Sequence, residues 1–231
     1  KQILCFSNPN VGLVTCDTYF FNETKIVKQK YKYVKPVIGN AFKYLLLNAL
    51  SFETVVIRKS ILENLGVSDI KVGAVCVYHD MIDTAVKRLE GTGISVAAVS
   101  TGFPAGLSPM RLRVAEIEES VRAGADEIDI VISRRNVLTQ NWLALYDEIR
   151  SFRDACGHAH MKTILATGEL GSLRNIARAS MVCMMAGADF IKTSTGKESV
   201  NATLPVSLVM VRAIRDYHDQ TGYMIGYKPA G

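Results

Sequence analysis

The sequence lacks the patterns that identify several large classes of protein. No stretch approaches the roughly 18 consecutive apolar residues that a membrane-spanning helix needs, and the apolar run at residues 44–47 stops at Asn48. The five cysteines are odd in number, widely spaced and never form C-x-x-C, which argues against a disulfide framework and a zinc ribbon: Cys5, Cys16, Cys76, Cys156 and Cys183. We therefore expect no contact with a membrane and a reducing compartment, the cytoplasm.

Nucleotide-binding glycine motifs are also missing. No G-x-G-x-x-G follows the first predicted strand. The segment Ser-Thr-Gly-Lys at residues 194–197 is not a G-x-x-x-x-G-K-[ST] loop, because Ile191 stands at the first glycine position and Glu198 at the Ser/Thr position. These absences exclude a Walker loop and give no support to a dinucleotide-binding fold.

The charge is unevenly distributed. The 231 residues contain 27 Lys and Arg against 22 Asp and Glu, and residues 1–56 alone contain seven lysines and three acidic residues. The lysines between residues 25 and 35, interleaved with Tyr31 and Tyr33, suggest either a nucleic-acid patch or a solvated segment. Because no recognisable binding motif accompanies them, we favour the solvated segment. The chain begins at Lys1 rather than Met, which we interpret as a fragment boundary.

From about residue 70, short apolar runs alternate with helical stretches. The runs predict strands at 72–77, 96–100, 127–132, 161–166, 189–193 and 224–227. The stretches between them predict helices near 80–90, 109–123, 140–156, 173–186 and 204–220, and Ser108-Pro109 resembles a helix start. A glycine in a left-handed conformation is expected after each helix, at Gly91, Gly124, Gly157, Gly187 and Gly222.

Repeated β-α units predict a parallel sheet covered by helices. We favour a (β/α)8 TIM barrel over an open sheet, because polar residues recur in or after several strands and a barrel brings them to one mouth: Asp129, Lys162, Lys192 and Lys228. The six visible strands correspond to strands 2–7 of an incomplete barrel. The first strand is unclear, with candidates at 12–16 and 55–57, and an eighth is absent. We therefore divide the chain into an unassigned basic segment, 1–56, and a barrel domain, 57–231.

Two lysines suggest the chemistry. Lys192 and Lys228 end adjacent predicted strands, and two ammonium groups about 5 Å apart repel by roughly 3 kcal/mol at an effective dielectric near 20. Such repulsion increases the neutral, nucleophilic fraction of one amine, as Schiff-base formation requires. Asp129 alternates with three isoleucines, so it is expected to face the barrel interior as an ion-pair partner or a proton relay.

The chain from about residue 60 to 231 resembles the deoxyribose-phosphate aldolases, a family of class I aldolases on a β/α barrel. The resemblance rests on Ala-Val-Cys-Val-Tyr at 74–78, Thr-Gly-Phe-Pro-Ala-Gly at 101–106, Ala-Asp-Glu-Ile-Asp-Ile-Val-Ile at 125–132, Lys-Thr-Ile-Leu-Ala-Thr-Gly-Glu-Leu at 162–170, Lys192 through Thr203, and Gly-Tyr-Lys-Pro-Ala-Gly at 226–231.

The resemblance implies reversible cleavage of 2-deoxy-D-ribose 5-phosphate to acetaldehyde and D-glyceraldehyde 3-phosphate, in deoxyribonucleotide and carbohydrate catabolism. It implies that Lys192 forms the imine, Lys228 favours the neutral amine and Asp129 relays protons. Substrate contacts are implied at Cys76, Lys162, Thr195, Gly196 and Lys197, the last two at the phosphate. Because the imine is the electron sink, we expect no cofactor and no metal, and we interpret His158 and His160 as surface residues.

Two departures from the family leave alternatives open. The Asp-x-Thr motif of the family's first strand has no counterpart in residues 1–56, and the family continues beyond Pro-Ala-Gly with a further strand whose loop binds phosphate. We therefore expect the isolated 231-residue chain to turn over poorly. The alternatives are another phosphosugar Schiff-base aldolase and a non-catalytic barrel that binds a partner or RNA. A homo-oligomer is left open.

Overall fold

The computed structural model describes residues 72–230 and, before them, only the backbone of four short strands. The chain divides into two compact units, residues 1–71 and 72–231. In the first unit, β1 (Leu13–Thr15) pairs antiparallel with β4 (Val55–Ile57), and β2 (Tyr19–Asn22) pairs antiparallel with β3 (Lys25–Lys28). The two segments considered for a first barrel strand are therefore partners of each other. The lysines between residues 30 and 35, which belong to the segment interpreted as solvated, lie outside the described residues.

The second unit alternates strands and helices along the chain. Its strands are β5 (Ala74–Val77), β6 (Ser95–Ser100), β7 (Glu127–Val131), β8 (His160–Ile164), β9 (Phe190–Lys192) and β10 (Gly226–Lys228). Its helices are α1 (Ile82–Leu89), α2 (Met110–Arg122), α3 (Arg134–Leu138), α4 (Trp142–Cys156), α5 (Leu173–Met185) and α6 (Leu204–Thr221), with single 3-10 turns at His79–Met81 and Thr167–Glu169.

All six strands form one parallel sheet in the order β10-β9-β8-β7-β6-β5. Each strand therefore lies beside the strand that precedes it in the chain, and the helices between them cover one face, as in part of a barrel. The prediction of an α/β fold with the six central strands of a β/α barrel is confirmed. No helix in the described part of the chain is both long and apolar enough to cross a bilayer.

The core lies between the sheet and its helices. The isoleucines of β7 and the residue after it, Ile128, Ile130 and Ile132, are fully buried in this layer with Phe152 and Ile149 of α4. The side chains that alternate with the isoleucines point to the opposite face of the sheet. Asp129, Lys162, Lys192 and Lys228 therefore lie together on the face opposite these helices.

Most element boundaries agree with the sequence prediction to within about two residues. The five glycines predicted after helices all have positive φ, from +52° to +103°. The short helix α3 was missed, because five residues carry too little periodic pattern to detect. The predicted start of α2 was wrong in one detail, because Pro109 is the N-cap and the Ser108 hydroxyl does not cap the helix.

Candidate active site

The two predicted lysines are directly opposite each other at the carboxyl ends of two neighbouring strands. Lys192 of β9 and Lys228 of β10 are register partners in the parallel pair. Register partners project from the same face of a sheet, so the two amines emerge side by side. The Lys192 side chain is nearly fully buried, whereas 34% of the Lys228 side chain is exposed.

Asp129 of β7 lies between these lysines. Its Oδ2 accepts a hydrogen bond from Lys192 Nζ at 2.8 Å and another from Lys228 Nζ at 3.1 Å, and its side chain is fully buried. The sequence argument considered repulsion between two ammonium groups alone. The structure adds a shared carboxylate oxygen, which offsets that repulsion and holds both nitrogens at one point.

Lys162 of β8 extends the cluster. It is the register partner of Asp129, and its Nζ lies 3.4 Å from Asp129 Oδ1 and forms an ion pair with Glu127. Glu127 is two residues before Asp129 on β7, so both carboxylates face the same side. Sequence reasoning missed Glu127 as a site residue, although the period-two pattern that placed Asp129 in the interior placed Glu127 there as well. Three lysine side chains and two carboxylates thus form one network.

The network shifts the pKa values of Asp129 and Lys228. Burial by itself would raise the pKa of Asp129, but Lys192, Lys228 and Lys162 together hold it below its usual value. Burial opposes the charge of Lys228, yet the ion pair and hydrogen bond with Asp129 raise its pKa above the usual value. Asp129 is therefore an anion and Lys228 a cation at neutral pH.

Cys76, at the third position of β5, faces the same carboxylate. Its Sγ lies 3.9 Å from Asp129 Oδ2. Although the residue as a whole is exposed, partial burial of the thiol raises its pKa, and the charge of Asp129 raises it further. The group is thus a neutral thiol beside the cluster and not a thiolate nucleophile.

Phe190 and Gly226 shape the base of the cluster. They are register partners on β9 and β10, and a Cβ on Gly226 would overlap the Phe190 ring. The ring lies with its centroid 5.5 Å from Lys162 Nζ, within the range of a cation–π contact. Gly226 is therefore required for the close approach of this ring. The sequence carried no signal for this packing.

The remaining predicted residues lie in the loop after β9. Thr195 and Gly196 are partly buried, Lys197 is exposed, and Gly196 has a φ of +84°. The Thr195 N–H and hydroxyl both donate to Glu198, which the sequence analysis did not select. The loop is attached to the segment after β10, because Ser194 Oγ donates to Ala230 O at 2.8 Å. The cluster lysines and this loop thus share the same edge of the sheet.

The two histidines considered as metal ligands lie elsewhere. His160 begins β8, at the amino end of the sheet, and His158 precedes it; both are exposed. Within residues 72–230, no group of three or more potential ligands is arranged to hold a metal ion.

Comparison with known proteins connects this arrangement to a family. Residues 46–230 match the family described as DeoC/LacD family aldolase. The chain belongs to this family. It is 59% identical over 179 residues to the deoxyribose-phosphate aldolase of Homo sapiens, an alignment that covers 76% of this chain and 56% of the human protein. The corresponding protein of Bos taurus is 58% identical over the same length.

Solved structures of aldolases share the fold. The structure named "QR15, an Aldolase" has a TM-score of 0.61 and 28% identity, covering 74% of each chain. The tetrameric deoxyribose phosphate aldolase of Aeropyrum pernix has a TM-score of 0.60 at 21% identity, covering 75% of this chain and 71% of its own, and shows the fold alone. The chain spans little more than half the length of the human and bovine relatives. The family match begins at residue 46, and the domain boundary at 56/57 stays a prediction.

Proposed function

We propose that the protein is a class I aldolase that cleaves 2-deoxy-D-ribose 5-phosphate reversibly to acetaldehyde and D-glyceraldehyde 3-phosphate. The observation that carries this proposal is the pair of lysines whose nitrogens bind one buried oxygen of Asp129. Such an arrangement combines an amine nucleophile, a fixed cation and a proton acceptor. The identity to the human deoxyribose-phosphate aldolase supports the choice of substrate.

Lys192 is the candidate nucleophile. Lys228 remains the cation of the pair because Asp129 raises its pKa, and the Lys192 side chain is the more deeply buried of the two. The neutral Lys192 amine attacks C1 of the open-chain sugar, and the resulting carbinolamine loses water to give a protonated imine. Asp129 Oδ2, which already accepts a hydrogen bond from Lys192 Nζ, is placed to receive and return protons in these steps.

Cleavage follows from the electron demand of the imine. A base removes the proton of the C3 hydroxyl, the C2–C3 bond breaks, and its electron pair forms the C1–C2 double bond of an enamine while the iminium nitrogen becomes neutral. D-glyceraldehyde 3-phosphate leaves from the C3 side. Protonation of the enamine at C2 and hydrolysis of the imine release acetaldehyde and regenerate the lysine. The imine is the electron sink, so the steps need no metal or organic cofactor.

The neighbouring residues have supporting roles in this proposal. Cys76 and Lys162 contact the sugar beside the reacting carbon, since both lie within 4 Å of the Asp129 carboxylate. Gly196 and Lys197, four and five residues beyond Lys192, receive the phosphate. A cytoplasmic enzyme of deoxyribose phosphate catabolism is consistent with the free thiols of the three described cysteines. A homo-oligomer stays a prediction that light scattering tests.

Borohydride trapping tests the proposal directly, because a single covalent event suffices even where turnover is slow. The chain is incubated with 2-deoxy-D-ribose 5-phosphate, reduced with sodium borohydride and analysed by peptide mass mapping. We expect a reduced adduct on Lys192, and none in the Lys192→Met variant. An adduct confined to other lysines, or none at all, contradicts the assignment. Stronger trapping by a different phosphosugar would instead identify another Schiff-base aldolase.

A further inference from the structure

Glu198 lies in the loop after β9, six residues beyond Lys192. Its carboxylate accepts the Thr195 N–H at 3.0 Å on Oε2 and 3.2 Å on Oε1, and the Thr195 hydroxyl at 2.6 Å. We propose that Glu198 is a positioning residue that holds the turn at residues 195–197 in the shape that binds the phosphate group of the substrate. This inference rests on the proposed function and adds to it the residue that organises phosphate recognition.

The hydrogen bonds of Thr195 are the first argument. A hydroxyl has one proton, and that of Thr195 is donated to Glu198, while its oxygen accepts the Lys197 N–H at 3.0 Å. The N–H of Thr195 is also directed to Glu198. Both donors of Thr195 are therefore engaged within the loop. In this interpretation Thr195 shapes the turn, whereas the sequence had suggested a direct contact with substrate.

The charge of Glu198 is the second argument. Its two oxygens accept an N–H and an O–H, and hydrogen bonds to an ionised acceptor are stronger than those between neutral groups. A glutamine of the same shape has only one acceptor oxygen, because its second terminal atom is an NH2 donor. It would therefore loosen the turn without removing any packing, which makes Glu198→Gln a sharp test.

The loop is anchored on both sides of this turn. Before it, the buried Ser194 donates its hydroxyl proton to Ala230 O at 2.8 Å. After it, the Ala202 N–H donates to the same carbonyl at 3.1 Å, and Asn201 Nδ2 donates to Glu198 O at 3.2 Å. Both ends are thus tied to the segment that follows Lys228. The Glu198 carboxylate closes the turn between them, so its removal should affect the turn and leave the lysine cluster in place.

The experiment compares Glu198→Gln with the wild-type chain and with Glu118→Gln, a control at an exposed position of α2. Steady-state cleavage is measured with 2-deoxy-D-ribose 5-phosphate and with 2-deoxy-D-ribose, which has no phosphate. Loss of a hydrogen bond to a charged group predicts a KM for the phosphorylated sugar about tenfold higher in Glu198→Gln. In Glu198→Gln, the kcat for the phosphorylated sugar and the kcat/KM for 2-deoxy-D-ribose should remain within about twofold of the wild-type values. The Glu118→Gln control should match the wild type in all of these quantities.

Titration with inorganic phosphate by calorimetry separates this inference from the proposed function. We expect Glu198→Gln to bind phosphate about tenfold more weakly than the wild type, by the same reasoning. If borohydride traps no adduct on Lys192 of the wild type, the aldolase proposal fails, and the titration still decides the role of Glu198. A lower or unchanged KM, an equal loss with both sugars, equal phosphate affinities, or no phosphate binding by the wild type overturns the inference.

Discussion

Replacement of Asp129 by asparagine tests the electrostatics of the cluster. The substitution conserves shape but leaves Lys192, Lys162 and Lys228 facing a neutral amide, with Glu127 as the one remaining carboxylate. Removal of one partner from a buried ion pair costs about 3–5 kcal/mol. Lys192 accounts for most of this expected loss, because the Lys228 side chain is one-third exposed and solvent screens its pair. We therefore expect Asp129→Asn to lower the free energy of unfolding by about 3–5 kcal/mol at pH 7.

The stability difference between the wild type and Asp129→Asn should depend on pH, in a direction that the two pKa shifts determine. The pKa of Asp129 is lowered in the folded protein, so its stabilising effect is present above its usual pKa and is lost as the pH falls through the folded value. The pKa of Lys228 is raised, so its contribution is lost as the pH rises through a value above 10.5. The gap between wild type and Asp129→Asn should therefore be widest near neutral pH. It should shrink as the pH falls toward 3, and again as the pH rises through the folded pKa of Lys228.

A double-mutant cycle with Lys228→Met completes the test. In the wild type this change removes an ion pair and should destabilise; in the Asp129→Asn background it removes repulsion and should stabilise. Urea unfolding at pH 7 and pH 3 gives the free energies of unfolding of all four proteins, and Asp219→Asn, at an exposed position, is the control. Equal stability of Asp129→Asn and wild type at pH 7, a gap that is constant with pH, or an effect of Lys228→Met with one sign in both backgrounds would refute the reasoning.

Three further predictions concern packing, the helical layer and the thiol. Gly226→Ala should lower the free energy of unfolding by about 1–3 kcal/mol, because the added Cβ would overlap the Phe190 ring. In the control variant Gly73→Ala the Cβ meets open space, so the free energy of unfolding should change by less than about 0.5 kcal/mol. Equal urea midpoints for the two variants would contradict this prediction. Arg113→Met should lower the free energy of unfolding by about 3–5 kcal/mol, because it leaves the buried Glu148 carboxylate without its ion pair. The double variant Arg113→Met/Glu148→Leu should recover part of this stability, and thermal unfolding measures both proteins. Iodoacetamide should alkylate Cys76 slowly at pH 8, because burial and, to a smaller extent, the charge of Asp129 raise the pKa of the thiol. Alkylation should be faster in Asp129→Asn, and peptide mapping measures both rates. A slower or unchanged rate in the variant would count against this account.

Local pattern was sufficient to predict most of the barrel strands and helices. Each strand from β5 to β9 is a short apolar run followed by a helix and a glycine, and the period-two alternation in β7 placed Asp129 opposite the buried isoleucines. Local pattern does not show the buried face of α2, which includes Arg113 and Ser120, while the apolar Leu112 is exposed. A buried arginine is stable there because Glu148, on another helix, neutralises it, and no local pattern reports a partner that is 35 residues away.

The sequence by itself determined the order of the strands and helices, the family resemblance and the identity of the lysines and aspartate at the strand ends. These depend on residue periodicity and on short motifs that are contiguous in the chain. Only the tertiary structure decided that Asp129 Oδ2 is shared by Lys192 and Lys228, residues 63 and 99 positions away. The same is true of the Phe190 ring that requires a glycine at position 226. These features depend on strand register and on side-chain direction in three dimensions, which are set when distant strands pair and their side chains pack.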